Sequence, residues 1–338
     1  IVKMNDNILE EAKKKDEEVK KNKKLGPLHG LAVTIKDSID TAGIVTTGGT
    51  KGRENYIPKK DATVVKRLKD AGAIILAKTN TPELTLEYET KNEIYGTSNN
   101  PYDIKRSPGG SSGGAAAAVA SGCSPLDIGS DTAGSIRLPA HFCGISGIKA
   151  TYGRVPGTGS IIPHNSGIVN ELTQLGPLAR YVEDIDYVMS IISGPDYIDP
   201  NVVPLKWEGM KKINNSNLKS LKGIYYLDND IFETNKEIKE TVLKTVKLLE
   251  NKGINISHKK PPMIEKTFSL FKRIFSADGW NWKYNLLKKY GTIDEVKERH
   301  DKAMSGVDFN KLISEWQEFK SELLQFMEEY DFVISPVS

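Results

Sequence analysis

Short apolar runs that alternate with amphipathic helices constrain this chain more than any other feature. Leu31-Ala-Val-Thr-Ile35 follows Gly26-Pro27, has the pattern of a buried strand, and delivers Lys36-Asp37 at its C-terminal end. Asp61 is placed to cap a helix whose Val64, Val65, Leu68 and Ala71 share one face; Gly72 stops it, and Ala73 to Ala77 reads as the next strand. A second βαβ pattern runs from Gly223–Leu227 through a helix opened by the capping box Thr234/Glu237 and closed at Gly253, and ends in Ile254–His258. Between the two, Leu126–Ile128, Gly147–Thr151 and Leu175–Leu178 read as short strands, and Val182, Ile185, Met189 and Ile192 mark a helix face ended by Gly194. This order predicts an α/β fold, a single large mixed β-sheet covered by helices on both faces. No internal repeat or low-complexity linker interrupts it, so one domain over residues 1–338 is expected. The chain begins at Ile1 rather than Met and stops inside the apolar segment Asp331–Ser338, so it is expected to be truncated at both ends.

Charge and cysteine content exclude several classes. With 47 basic and 44 acidic side chains the formal charge is only +3, which gives no electrostatic case for nucleic acid. Residues 4–24 hold seven Lys, but Glu10/Lys14, Glu11/Lys15, Asp16/Lys20 and Glu17/Lys21 fall at i,i+4, with Leu9, Ala12, Asp16 and Val19 as a narrow inner stripe: the pattern of a solvated surface helix. Two cysteines, Cys123 and Cys143, cannot staple a secreted fold and read as reduced thiols, which points to the cytoplasm. Ser107–Leu126 carries no charge over 20 residues, yet its Gly, Ser and Pro content argues against a membrane span.

Two Gly/Ser islands concentrate the candidate chemistry. Ser107-Pro-Gly-Gly-Ser-Ser-Gly-Gly114 feeds the helix former Ala115–Ala120, so unpaired backbone N–H groups and a positive dipole end face an anion or a developing oxyanion. No Gly-Lys-Ser/Thr follows, and the glycine spacing is not a dinucleotide fingerprint, so phosphate binding is disfavoured. Gly109-Gly-Ser111-Ser-Gly113 formally matches the nucleophile elbow of an α/β-hydrolase, which would make Ser111 the nucleophile of a Ser-His-Asp esterase. That elbow needs a strand directly before it and a His, whereas Asn100–Pro108 is turn-rich and His141, His164, His258 and His300 stand in no context that marks a base. No His, Cys, Asp or Glu pair has zinc spacing, so neither metal nor cofactor is expected. The second island, Asp127–Arg137, ends a short strand in a tight loop whose amides suit an oxyanion nest around Ser135, or a plain strand-to-helix turn.

These islands belong to a longer pattern. Gly26-Pro-Leu-His-Gly30, Thr34–Asp37, Gly96–Pro101, Ser107–Gly114, Gly129–Pro139, Phe142–Gly144 and Tyr152-Gly-Arg154 together resemble the amidase signature family of serine hydrolases, strongly over residues 8–192 and in broad pattern over 200–338. The resemblance implies that Ser135 is the nucleophile, Ser111 the bridging serine and Lys36 the ultimate base; they lie in the expected order, 75 and 24 residues apart. It also implies a cis Gly110–Ser111 peptide bond, a supporting loop of Gly110, Ser112, Asp131 and Arg137, and an oxyanion hole from the amides of Thr132, Ala133, Gly134 and Ser135. The family commonly has Gly where this chain has Ala133, which bears on local backbone geometry, because Ala dislikes positive φ.

The reaction so implied is hydrolysis of a small-molecule carboxylic amide through an acyl-serine. A lysine normally titrates near about 10.4, so Lys36 serves as base only if burial lowers it by roughly 2–3 pH units. Asp37 beside it would oppose that shift unless strand alternation turns its side chain elsewhere. Family members include broad amidases, fatty acid amide hydrolases and the glutaminase component of a tRNA-dependent amidotransferase, which passes ammonia to partner subunits. The Pro- and Gly-rich continuation Gly153–Ser166 resembles the amidase or fatty-amide branch. Thr85, Ile161, Ile162 and Ile168 are candidates for the acyl pocket, with loop packing as the alternative. A homodimer is left open.

Overall fold

A computed structural model describes residues 1–210, 218–290 and 303–337. They divide into two compact units, residues 1–209 with 282–290 and, within the described ranges, residues 210–281 with 303–337.

The first unit begins with β1 (Lys3–Met4), α1 (Ile8–Lys20), β2 (Ala32–Lys36), α2 (Thr63–Asp70) and β3 (Ile74–Thr79). The hairpin of β4 (Lys91–Asn92) and β5 (Gly96–Thr97) and then α3 (Gly113–Ala120), β6 (Leu126–Asp131), α4 (Arg137–Phe142) and β7 (Ser146–Gly147) follow. It closes with α5 (Ile168–Glu171), β8 (Gln174–Ala179) and α6 (Val182–Ile192). Six strands form one mixed sheet in the order β1-β3-β2-β6-β8-β7, with β3, β2 and β6 parallel and the outer pairs antiparallel.

Helices cover both faces, as the alternation requires for a sheet buried on both sides. On one, Val64, Val65 and Leu68 of α2 and Ile185, Val188, Met189 and Ile192 of α6 pack with Val33, Ile35, Ile75 and Ile128. On the other, Ala115 and Ala116 of α3 pack with Ile136, Ala140, Cys143 and Leu178. Lys36 follows Ile35 on β2, so alternation turns it from the first core towards α3.

The second unit holds a separate parallel sheet, β10-β9-β11, from β9 (Lys222–Tyr225), β10 (Asn255–His258) and β11 (Phe332–Ile334). Helix α7 (Lys236–Glu250) makes the β9–β10 crossover, while α8 (Thr267–Phe275) and α9 (Gly306–Met327) bury Leu270, Ile274, Leu312 and Trp316. The large mixed sheet is therefore as the alternation indicates, and the second βαβ pattern builds a sheet of its own.

Local capping differs from expectation. Asp61 does not cap α2: its Oδ1 accepts from Ala42 N–H at 2.8 Å and pairs with Lys69 at 2.9 Å, and Ala62 holds the cap position. Helix α7 is capped by Asn235, whose side chain accepts from Glu237 N–H at 2.8 Å, not by Thr234. In α1, Leu9 and Val19 are exposed, and ion pairs form at i,i+3, Lys15–Glu18 and Lys20–Glu17, in place of the expected i,i+4 set. The 20 uncharged residues from Ser107 are a loop, the eight-residue α3 and the start of β6, and no described helix is long and apolar enough to cross a membrane.

Candidate active site

The site lies at the carboxyl ends of β2 and β6, the general location for ligands in open parallel sheets. Lys36 is the last residue of β2 and is completely buried. Its Nζ donates to Ser111 Oγ at 2.6 Å, Ser112 Oγ at 2.9 Å and Ser130 Oγ at 3.0 Å. Three donors for three hydroxyls satisfy a lysine ammonium; a neutral amine has two donors and a lone pair, so one hydroxyl can then turn its proton towards nitrogen.

The loop before α3 brings Ser111 and Ser112 to that amine. Gly110–Ser111 is a cis peptide, as the resemblance implies. A Cβ on Gly110 would lie 2.7 Å from the Tyr88 backbone, so only glycine lets this loop seat. Thr90 fastens it: Thr90 Oγ1 donates to the Gly109 carbonyl at 2.8 Å and accepts from Gly113 N–H at 3.1 Å. Ser112 holds the N-cap position of α3 without capping it, because its hydroxyl faces Lys36 and the Ser130 carbonyl. The positive end of α3 thus sits beside the amine and disfavours its charged form.

Burial drives the Lys36 amine from 10.5 down to about 7, against Asp131 and Asp127, whose charges raise it. Asp37 points away, as alternation suggests: its carboxylate accepts from Thr47 N–H at 3.1 Å and from the Thr47 hydroxyl. Desolvation lifts the Asp37 carboxyl, with the Lys78 charge pulling the other way. Lys78, opposite Ile35 in the ladder, is a second buried amine, lowered by burial to about 8 with Asp37 the largest opposing charge; it donates to the Ile39 carbonyl and, at 2.9 Å, to Thr41 Oγ1.

Ser135 occupies the loop after β6. Its carbonyl accepts from Ser112 N–H at 3.1 Å, which ties the two Gly/Ser islands together, and it is 8% exposed where Lys36 is 0% exposed, so the serine is nearer the solvent side. Asp131 braces the loop: its carboxylate accepts from the N–H groups of Gly134 at 2.8 Å, Ile136 at 3.0 Å and Arg137 at 3.2 Å, and from the Arg137 guanidinium at 2.9 and 3.0 Å. The Gly134 amide, expected among the oxyanion donors, thus donates to the Asp131 carboxylate here. Thr132, Ala133 and Ser135 remain the candidates for that role. Ala133 has no positive φ, whereas Gly134 sits at +117°, so Ala in place of the common Gly imposes no left-handed strain.

The expected acyl-pocket residues scatter. Ile161 and Ile162 are buried, and Ile161 Cδ1 fills the place a Cβ on Gly48 would take, so Ile161 packs the loop after Lys36. Ile168 is half-buried at the start of α5, and Thr85 follows Leu84 in two consecutive left-handed conformations, φ +64° and +51°, unfavourable for a β-branched side chain. A groove of about 1020 Å³ lies beside Gly110, lined among the described residues by Gly49, Thr50, Glu83, Tyr88 and Glu89 with neighbours on both segments. Thr85, Ile161, Ile162 and Ile168 do not line it.

The elbow alternative does not fit. No strand leads into Ser111, and its hydroxyl meets an amine rather than an imidazole. His141 and His258 are exposed, His164 is half-buried in a loop, and His29 bonds the Lys15 carbonyl at 3.1 Å; His300 lies outside the described residues. Sequence reasoning missed Ser130 as a partner of Lys36, and Asp127 and Lys78 as buried charges; the one available signal was a polar residue in an otherwise strand-like run.

An α/β sheet that presents a buried lysine to two serines of one Gly/Ser loop and to Ser130 of strand β6, with a second Gly/Ser loop alongside, is the arrangement of a serine–lysine hydrolase fold. The Amidase family model matches residues 1–338, and the chain belongs to that family, the amidase signature proteins. It is 42% identical over 255 residues to the A-type component of the glutamyl-tRNA(Gln) amidotransferase from Sulfurihydrogenibium sp. (strain YO3AOP1), covering 74% of this chain and 51% of that one. The chain thus spans about half the length of that relative. Among solved structures, a fatty acid amide hydrolase superposes with TM-score 0.85 at 24% identity over 98% of this chain and 60% of its own, a likeness of fold. The corresponding glutamyl-tRNA(Gln) amidotransferase component from Thermotoga maritima superposes with TM-score 0.79 at 28% identity over 97% and 75%.

Proposed function

We propose that the chain hydrolyses a carboxylic amide C–N bond through an acyl-Ser135 intermediate. The observation that carries the proposal is the 2.6 Å hydrogen bond between Ser111 Oγ and the buried amine of Lys36, which titrates near neutrality. Ser135 Oγ attacks the carbonyl carbon as its proton passes to Ser111 Oγ and the Ser111 proton passes to Lys36 Nζ. The tetrahedral oxyanion accepts from amides of the Thr132–Ser135 loop, where one such donor contributes about 3 kcal/mol. The lysine ammonium returns its proton through Ser111 to the departing nitrogen, the C–N bond breaks, and water, deprotonated by the same relay, releases the acid. Ser135→Ala is expected to abolish both turnover and fluorophosphonate labelling while the fold persists by circular dichroism; continued labelling of that variant refutes the assignment.

A second reading is favoured by the name of the relatives: the amide is glutamine, and the ammonia released serves an amidotransferase. A hydrolysis panel of acetamide, aryl amides, long-chain amides and glutamine separates the two. Glutamine turnover that rises with added partner proteins supports the second reading, and turnover of simple amides by the chain alone supports the first.

A further inference from the structure

We propose that Ser130 is a positioning residue for the lysine–serine relay: its hydroxyl is an acceptor on β6 for the Lys36 ammonium, and its carbonyl turns the Ser112 hydroxyl to the same purpose. The proposal rests on the reading of Lys36 as base. Ser130 is buried, and its Oγ lies 3.0 Å from Lys36 Nζ. It belongs to strand β6 and pairs there with Leu175 of β8, so the sheet places this hydroxyl independently of the loop that carries Ser111 and Ser112. Ser112 Oγ accepts from Lys36 Nζ at 2.9 Å and donates to the Ser130 carbonyl at 3.3 Å. A hydroxyl has one proton, and with that proton on the carbonyl Ser112 meets the amine as an acceptor. Gly129 leaves room for this contact, because a Cβ there would lie 2.7 Å from Ser112 Oγ. Ser130 therefore acts on the lysine twice, through its own side chain and through that of Ser112.

Both contacts favour the charged lysine. An ammonium has three N–H donors and no acceptor, and its bonds to hydroxyl oxygens are stronger than those of a neutral amine. In the proposed step Lys36 passes from amine to ammonium while Ser111 gives up one proton and takes another from Ser135. Ser112 and Ser130 accept throughout, so they are the partners that stabilise the new charge as it forms. The charged groups facing Lys36 are Asp131 and Asp127, both on β6. Asp131 is held by Arg137 at 2.9 Å, and Asp127 accepts from Thr79 Oγ1 at 2.9 Å. On β3 the Lys78 amine is turned to the Ile39 carbonyl and Thr41, after β2 the Asp37 carboxylate bonds Thr47, and α3 carries no titratable side chain. Replacing a hydroxyl on β6 alters none of these charges.

Ser130→Ala removes the hydroxyl and keeps the backbone pairing of β6 with β8, so the fold is expected to persist. Losing one acceptor of a charged donor lowers the Lys36 midpoint by about 1 pH unit, roughly a tenfold loss of proton affinity. The same loss falls on the transition state, so the plateau of fluorophosphonate labelling drops by up to about tenfold while its acid limb moves to lower pH. Lysine labelled with carbon-13 at Cε reports the midpoint by NMR, with the Lys36 signal assigned by its loss in Lys36→Ala. Ser130→Thr keeps the hydroxyl and is expected to restore both the midpoint and the plateau. A Lys36 midpoint that is unmoved or raised in folded Ser130→Ala, labelling that weakens equally at every pH, or a folded Ser130→Thr that behaves like the alanine variant overturns the proposal. A midpoint that falls in Ser130→Ala, when neither that variant nor the unaltered protein labels, supports the Ser130 contact and defeats the hydrolase reading instead.

Discussion

On the proposed mechanism, the pH dependence of Ser135 acylation follows from the environment of Lys36. Only the neutral amine accepts a proton, so the rate tracks its neutral fraction. With the amine at about 7, that fraction rises from roughly a tenth at pH 6 to roughly nine tenths at pH 8, a gain of about tenfold followed by a plateau. A lysine left near about 10.4 would gain roughly a hundredfold over the same interval and keep climbing tenfold per unit through pH 9. The assay is the second-order rate of fluorophosphonate labelling between pH 5.5 and 9.5 at constant ionic strength, with Ser135→Ala as the blank. Lys36→Ala should lose the plateau and recover reactivity only where hydroxide replaces the amine. Labelling that climbs tenfold per unit past pH 8 in the unaltered protein refutes the claim that burial outweighs Asp131 and Asp127; a flat profile refutes Lys36 as the base.

Three further outcomes are expected. The folded-state pKa of Lys36 is depressed, so the unfolded chain binds the extra proton between about 7 and 10.5, and this contribution to stability rises with pH across that window. Lys36→Met should therefore stabilise the fold below pH 7, by about 2 kcal/mol once roughly 5 kcal/mol of relieved desolvation is offset by three hydroxyls losing a partner; at about 1.4 kcal/mol per pH unit, urea titrations should show the advantage gone by about pH 8.5 and reversed above it. Asp131→Ala leaves three loop amides without an acceptor and should destabilise by about 3–5 kcal/mol, against about 1 kcal/mol for the half-exposed Arg137→Ala; because arginine accepts from no amide, the charge-swapped pair Asp131→Arg, Arg137→Asp stays unstable in thermal melts. Gly129→Ala puts a Cβ 2.7 Å from Ser112 Oγ and should lower labelling about tenfold with about 1–3 kcal/mol of overpacking; an unchanged rate would show that Ser112 does not help hold the amine.

Much of this was legible from residue order. The run Leu31–Ile35 ended on a lysine because the strand does, and the two Gly/Ser islands marked loops that meet at Ser112 and Ser135. What failed was whatever depends on distant partners. Asp61 and Thr234 sit where caps belong, but Ala42 and Lys69 recruit the first, and Asn235 supplanted the second one residue on. The 223–258 pattern looked like more of the same sheet because its other neighbour, β11, comes about a hundred residues later. Ser130 and Asp127 were hidden for a related reason: what they do is set by the β2–β6 register, which the order of residues does not reveal. The bond from the Gly134 amide to the Asp131 side chain was not anticipated either.

The pairing of Thr34 with Asp127 has a consequence for the life of the molecule. The amine and its hydroxyls are supplied by strands and loops that a ribosome makes 75 to 94 residues apart, so a growing chain carries every reactive group and yet has an ordinary, fully charged lysine and ordinary alcohols. On the proposed mechanism, reactivity requires β6 paired beside β2 and the amine buried. Loss of fluorophosphonate uptake in denaturant would then report the disassembly of that buried site.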